Sequence, residues 1–257
     1  MAVNPYGSIL TSLADKDLLL PYFRNALLSK EWPDSYTVTI DSSPYYGHGD
    51  GMFHPSTHAL MGARELYYRF HPDHRDKVIH EQRNPTSEIT LSVGSAIHGI
   101  VQTQFQMAGL IKSPENCEVE YTIPEHNARG RVDFLVHHPD GCTYPVELKT
   151  INSRAYSMLT QIKESWDAQL SMGLHGLGYS TGILLALEAG YPYRMKEFLV
   201  DRNDHLLSQI FAKFDYVREC IAANTPPEHC CPLDSVQMKA CPARFECWMA
   251  KKVVGEW

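Results

Sequence analysis

The stretch GRVDFLVHHPDGCTYPVELKT, residues 130–150, decides how this chain folds. Val132, Phe134, Leu135 and Val136 make one apolar run, and Val146 and Leu148 belong to a second. Between them His138-Pro139-Asp140-Gly141 is turn chemistry, and Asp-Gly is the strongest short signal for a β-hairpin. Two buried, paired strands are therefore expected. Each carries charge: Asp133 in the first, Glu147 and Lys149 in the second. A charge taken out of water is costly without a partner, so these three residues need a common explanation.

Asp133 and Glu147 are 147 − 133 = 14 residues apart across the turn, which lets an antiparallel pair bring both carboxylates to one edge of a sheet. Two close carboxylates repel unless a cation lies between them, and oxygen donors suit hard divalent ions, magnesium or manganese. Glu147 and Lys149 are two apart in Val-Glu-Leu-Lys-Thr and so face the same side of their strand. A lysine beside such a site can orient a water or offset charge on a phosphate. The ordinary reading of Glu-x-Lys is a surface salt bridge; the apolar context and Asp133 weigh against it here.

Outward from the hairpin, the patterning alternates helix and strand. SLADKDLLLPYFRNALLSK reads as helices interrupted by Pro21, and STHALMGARELYYRF as a helix capped by Ser56 or Thr57, with Leu60, Tyr67 and Phe70 at helical spacing. Residues 92–109 form a second amphipathic helix, and CEVEYTI alternates as a strand should. After the hairpin come a helix over MLTQIKESWDAQLSMGLHGLG, strands over TGILLALEA and MKEFLV, and a long amphipathic helix from Asn203. The order α-β-β-β-α-β-β-α predicts an α/β fold, a mixed central sheet flanked by helices. The expected division is an N-terminal helical region over 1–85, a core over 86–222 and a cysteine-rich tail over 223–257.

The chain has 257 residues, enough for a sizeable core. With 23 basic and 30 acidic residues its net charge of −7 excludes a broadly basic nucleic-acid coat, though not a local basic groove. No leader-like N-terminus and no apolar run of bilayer length are present, so an intracellular, cytoplasmic protein with no membrane partner is expected. Seven cysteines, an odd and uneven set, argue against a disulfide framework. Cys117, Cys142 and Cys220 read as small buried residues. Cys230, Cys231, Cys241 and Cys247 crowd the tail, and thiolates are soft donors for zinc or iron–sulfur centres, chemically separate from the carboxylates.

An aspartate on one strand followed by Glu-x-Lys on the next resembles the PD-(D/E)XK nuclease superfamily. The Gly-Arg-Val-Asp-Phe-Leu form is similar to its RecB-like exonuclease branch, which has a restriction-endonuclease-like core. The resemblance spans roughly residues 55–250. It implies His98, in Gly-Ser-Ala-Ile-His-Gly, as a metal-binding residue with Asp133, Glu147 and the carbonyl of Leu148, and Lys149 as their catalytic partner. Of Glu118 and Glu120, which the alternation puts on one face, Glu120 is preferred as a supporting acid because it is nearer the turn to Asp133. Gln169 resembles the branch's helix glutamine, but the tyrosine usual four residues later is Gly173 here.

The Cys-Pro-x-x-x-x-Cys ending is similar to phage-type members holding an iron–sulfur cluster through one N-terminal and three C-terminal cysteines. Here the N-terminal position is filled by a residue such as Gly62 or Ala63. Three outcomes stay open: a cluster on Cys230, Cys231, Cys241 and Cys247; zinc on three of them with His229; or free thiols. The resemblance implies a magnesium- or manganese-dependent DNA exonuclease in recombination, repair or processing, acting on linear ends or single strands, with a recombination partner protein and a phage-encoded origin in a bacterial host among its expectations. The alternatives are a non-cutting DNA-binding or scaffolding subunit and a structure-specific endonuclease. Arg64, Arg69, Arg129, Arg131, Arg154 and Lys163 are the candidate phosphate contacts.

Overall fold

The 130–150 stretch folds as the hairpin its turn residues demand. Strand β2 (Ala128–His137) pairs antiparallel with β3 (Thr143–Ile151), Phe134 opposite Val146 and His137 opposite Thr143. The turn closes through Gly141 N donating to His138 O at 3.0 Å, and Gly141 takes φ +91°, which a side chain would resist. This computed structural model describes residues 17–29, 33–38, 40, 50–78 and 85–253.

A five-stranded sheet grows from the hairpin in the order β1-β2-β3-β4-β5, with β1 at Cys117–Ile123, β4 at Thr181–Glu188 and β5 at Met195–Asp201. β3 and β4 run parallel, Glu147 opposite Leu184 and Lys149 opposite Ala186; β5 returns antiparallel. One face carries Phe134, Val136, Val146, Leu148, Ile183 and Leu185 against Leu20 and Phe23 of α1 (Leu20–Ser29) and against Val101 and Phe105 of α4 (Pro85–Met107), which follows α2 (Pro55–His58) and α3 (Ala63–Phe70) in the chain. On the other face Leu184 and Val200 meet Leu170 and Leu174 of α6 (Glu164–Leu177), which follows the short α5 (Ser153–Met158). The fold is α/β, a mixed sheet with helices on both faces, as the pattern of alternation requires.

Two compact units are built from interleaved segments. The first comprises 1–42, 90–121 and 131–202, and the second 43–89, 122–130 and 203–257. The second unit contains α2 (Pro55–His58), α3 (Ala63–Phe70), α7 (Asp204–Ala222), α8 (Val236–Ala240) and α9 (Arg244–Val253). Phe53 is its hub, stacked on Phe214 at 4.2 Å and bridged to Ala128.

Four element boundaries differ from the sequence reading. Pro21 opens α1 rather than interrupting a helix, because a first-turn residue needs no amide donor; residues 12–16 and 30 of that reading lie outside the described residues. The helix expected over 56–70 is two, broken where Gly62 takes extended backbone as the N-cap of α3; Leu60 in the break is exposed while Tyr67 is buried. Helix α4 starts earlier than residue 92, since its N-terminal half buries almost nothing and so leaves no periodic signal. The helix expected over 158–178 begins only at Glu164, after a separate α5 and a break at 159–163, where Lys196 Nζ donates to the carbonyls of Tyr156 and Leu159 at 2.8 and 2.7 Å. Asn203 caps α7 as its position suggests, accepting from Leu206 N at 3.0 Å.

Candidate active site

The β2–β3 ladder ends at Phe134–Val146, and the next rung is made by a side chain. Asp133 Oδ2 accepts from Leu148 N at 2.6 Å, which holds the carboxylate against β3 beside Glu147. Glu147 is buried by the sheet and by α6. Its Oε1 accepts from Lys149 Nζ at 2.8 Å and from Gln169 Nε2 at 2.6 Å, while Lys149 Nζ also donates to Gln169 Oε1 at 2.7 Å. His98 of α4 places Nδ1 3.6 Å from Asp133 Oδ1. The structure thus gathers His98, Asp133, Glu147, Lys149 and Gln169, drawn from four elements and 72 positions of sequence (169 − 98 + 1), into one bonded set within the first unit.

Burial and the Asp133 charge push the Glu147 carboxyl up to about 7, against the pull of Lys149 and His98. Asp133 moves the other way: burial opposes its ionisation, but His98, Lys149 and the Leu148 amide hold it below the ordinary aspartate value. Burial would depress the His98 imidazole, yet Asp133, Glu147 and Glu118 together raise it. Carboxylates with affinities pushed apart, next to a lysine, mark a place where charge is managed for chemistry.

Glu147 Oε2 is buried and has no hydrogen-bond partner. A carboxylate oxygen does not stay so at low cost, and a cation is the partner it lacks. Two carboxylates and an imidazole fit magnesium or manganese by donor chemistry. Among the described residues no three such groups already surround a common point.

Two further residues belong to the site. Glu118 has left-handed backbone, φ +52°, which breaks the alternation of β1 and turns its carboxylate inward; burial and Asp133 raise its affinity for protons. Gln102 Nε2 donates to Glu118 Oε1 at 2.7 Å and to Asp133 O at 2.9 Å, tying the two strands together. Glu118 and Glu120 therefore do not share a face, and Glu120 is exposed. The available signal was helical spacing: Gln102 is one turn after His98. The left-handed backbone at Glu118 has no signature in the residue type.

The basic candidates separate. Arg131 pairs with Glu118 at 2.8 Å, Arg129 with Asp50 at 3.7 Å and Arg69 with Glu65 at 2.9 Å. Arg154 and Lys163 are exposed, with Lys163 Nζ 4.6 Å from the Trp166 ring centre. Arg64 is a correction: it is buried, bonded to Cys247 Sγ at 3.1 Å, Tyr68 OH at 3.2 Å and the Pro227 carbonyl, and has no path to a phosphate.

Those bonds belong to the cysteine tail in the second unit. All seven cysteines are free thiols. Cys247 Sγ lies 3.4 Å from His229 Nδ1, and His229 stacks on Trp248 at 3.8 Å. A Cβ on Gly62 would stand 2.7 Å from Cys230 Sγ. Burial, with Glu65 nearby, pushes the Cys241 thiol up to about 12, and Cys230 and Cys231 both act on Cys247. The donors are soft, which fits zinc or an iron–sulfur centre in chemistry, and among the described residues no three of them already surround a common point.

No protein-family model matches the chain, and no curated protein does. Among solved structures the chain is similar to the crystal structure of SSO0001, with 16% identity over 95% of this chain and 98% of that one and a TM-score of 0.45. It is also similar to an alkaline exonuclease, LHK-Exo, from Laribacter hongkongensis, with 16% identity over 68% of this chain and 89% of that one and a TM-score of 0.45. The same exonuclease in complex with dAMP gives 15% identity over the same shares and a TM-score of 0.48.

Proposed function

We propose that the chain is a metal-dependent deoxyribonuclease of the PD-(D/E)XK type, in its RecB-like exonuclease branch, which trims linear DNA. The observation that carries the reading is the buried, partnerless Oε2 of Glu147 beside Asp133 and His98, with Lys149 bonded to the same carboxylate. Asp133, Glu147, His98 and the carbonyl of Leu148 would hold magnesium or manganese, which when bound lowers the pKa of a water and neutralises phosphate charge. Gln169 positions Lys149, and Lys149 presents its ammonium next to the carboxylates, where it can orient a water or meet a phosphate oxygen. Asp133 stays ionised because His98, Lys149 and an amide favour its charged form. Glu118 and Gln102 fix the Asp133 strand.

The reading extends to the tail, where Cys230, Cys231, Cys241 and Cys247 would hold an iron–sulfur cluster, or three of them with His229 a zinc ion, as a structural staple. It places the protein in the cytoplasm, in recombination, repair or processing of DNA. Among the described residues no helix is long and apolar enough to cross a membrane.

The test is hydrolysis of end-labelled linear and closed circular DNA with magnesium, manganese, calcium or a chelator. Linear DNA should be degraded with magnesium or manganese and circular DNA spared. Asp133→Ala and Glu147→Ala should each lower the rate by on the order of 10²-fold or more while binding persists. Cleavage by the Glu147→Ala protein at the wild-type rate, or by the wild type in chelator, overturns the assignment.

A further inference from the structure

Strands β3 and β4 run parallel, Lys149 opposite Ala186 and Ile151 opposite Glu188, so the segments that follow them leave the sheet at one edge, two residues beyond Lys149. The segment after β4 is the turn 189–194. It is tied to the end of β3 by Ala189 N donating to Ile151 O at 2.7 Å, and closed by Tyr193 N donating to Gly190 O at 2.6 Å. Its tip carries Tyr191 at 90% exposure and Tyr193 at 60%.

The base of this turn is braced. Arg194 Nε bonds Glu188 Oε2 at 2.8 Å. The buried Tyr156 ring of α5 has the Arg194 guanidinium 5.0 Å and the Lys196 ammonium 4.6 Å from its centre, and Lys196 grips the end of α5. Helix α5 in turn exposes Arg154, and Met158 at 71%. A rigid base under two bare aromatic rings, with a cation on the neighbouring helix, sits at the sheet edge to which Glu147 and Lys149 lead.

We propose that Tyr191 and Tyr193 form a stacking platform for unpaired bases of a DNA strand engaged at the carboxylate site, with Arg154 meeting its phosphates. The proposal rests on the nuclease reading and adds the substrate form. Paired bases have both faces covered by their neighbours, so only a single strand or a frayed end offers a ring face to a tyrosine. Contact with a duplex backbone would call for a row of cations, whereas this tip offers Tyr-Pro-Tyr.

The test is anisotropy of the full chain with a fluorescein-labelled 20-nucleotide oligothymidine and with a blunt 20-base-pair duplex, in chelator so that binding is read apart from cutting. Two stacked rings predict a loss of about 30-fold or more in single-strand affinity for the Tyr191→Ala/Tyr193→Ala protein. The duplex affinity and the melting temperature should be unchanged, and the double Phe variant, which keeps both rings, should bind like the wild type. Wild-type-like single-strand binding by the double Ala variant overturns the platform and leaves the turn to a protein partner. An equal loss on duplex and single strand also overturns it, as does a double Phe variant as weak as double Ala. If the wild type cuts DNA while the double Ala variant binds unchanged, the platform alone falls. If the wild type neither binds nor cuts DNA, the nuclease reading falls and takes the platform with it.

Discussion

Glu147 shows what a single residue costs the fold. Its carboxyl is held at about 7, above the 4.5 of an open glutamate, so the folded protein keeps a proton that the unfolded chain gives up. The sign follows: the stability tied to this group is fully present below about pH 4.5 and is lost as pH rises through 7. Metal-free protein should therefore melt at falling temperature from pH 5 to 8, and Glu147→Gln should make that profile clearly shallower. Parallel profiles for the two proteins would show that Glu147 does not set the slope. At this scale the sequence was informative in part. Asp133, Glu147 and Lys149 could be picked out because the turn and strand parity fix which side chains meet, whereas His98 and Gln169, on helices, were expected only from the family resemblance. Glu118 could not be separated from Glu120, because a left-handed residue inside a strand leaves no trace in the pattern. Arg64 was misread because an arginine's burial is decided by distant chain, here Pro227 and Cys247.

At the scale of elements, helix α6 and strands β1 and β2 are set by two glycines. A Cβ on Gly173 would stand 2.5 Å from Val132 Cγ1, and one on Gly176 would stand 2.3 Å from Tyr121 Cδ2. Tyr121 is 5% exposed and cannot swing away, and the Gly176 position also meets its own Cβ at 3.1 Å. The helix lies too close to the strands for a side chain at either position. Alanine in a helix ordinarily gains about 1 kcal/mol over glycine, whereas overpacking costs about 1–3 kcal/mol. The clash should win at both sites. Gly176→Ala should lower the melting temperature by several degrees, and Gly173→Tyr should lower it further or prevent folding. A Gly176→Ala protein melting above the wild type would mean that α6 slides to make room. The strands themselves were legible from their apolar runs and turn residues. The splits between α2 and α3 and between α5 and α6 were not, since each is fixed by a tertiary contact, the sulfur of Cys230 over Gly62 and the ammonium of Lys196 on two carbonyls.

For the whole molecule, the division into interleaved units groups 203–257 with 43–89 and 122–130. The tail's thiols gather on Gly62, Arg64 and Glu65 of that unit. The guanidinium of Arg64 is buried against a sulfur, a phenol and a carbonyl, an expensive place for a cation and a cheaper one if the sulfur is an anion. The proposed thiolate-held metal would supply that anion, because metal binding displaces the thiol proton even where burial holds the free thiol up, as at Cys241 and Cys247. Cys247→Ser and Cys241→Ser should then each release the metal and lower the melting temperature by several degrees, before any change in the carboxylate chemistry, which uses different ligands. Protein purified without oxygen should be coloured if the centre is iron–sulfur, and colourless with bound zinc otherwise. Metal analysis and thiol titration of the same sample separate the two. Colourless, metal-free protein with four reactive tail thiols, whose Cys247→Ser variant melts with the wild type, would leave Arg64 buried without an anion and end the argument for a metal in the tail.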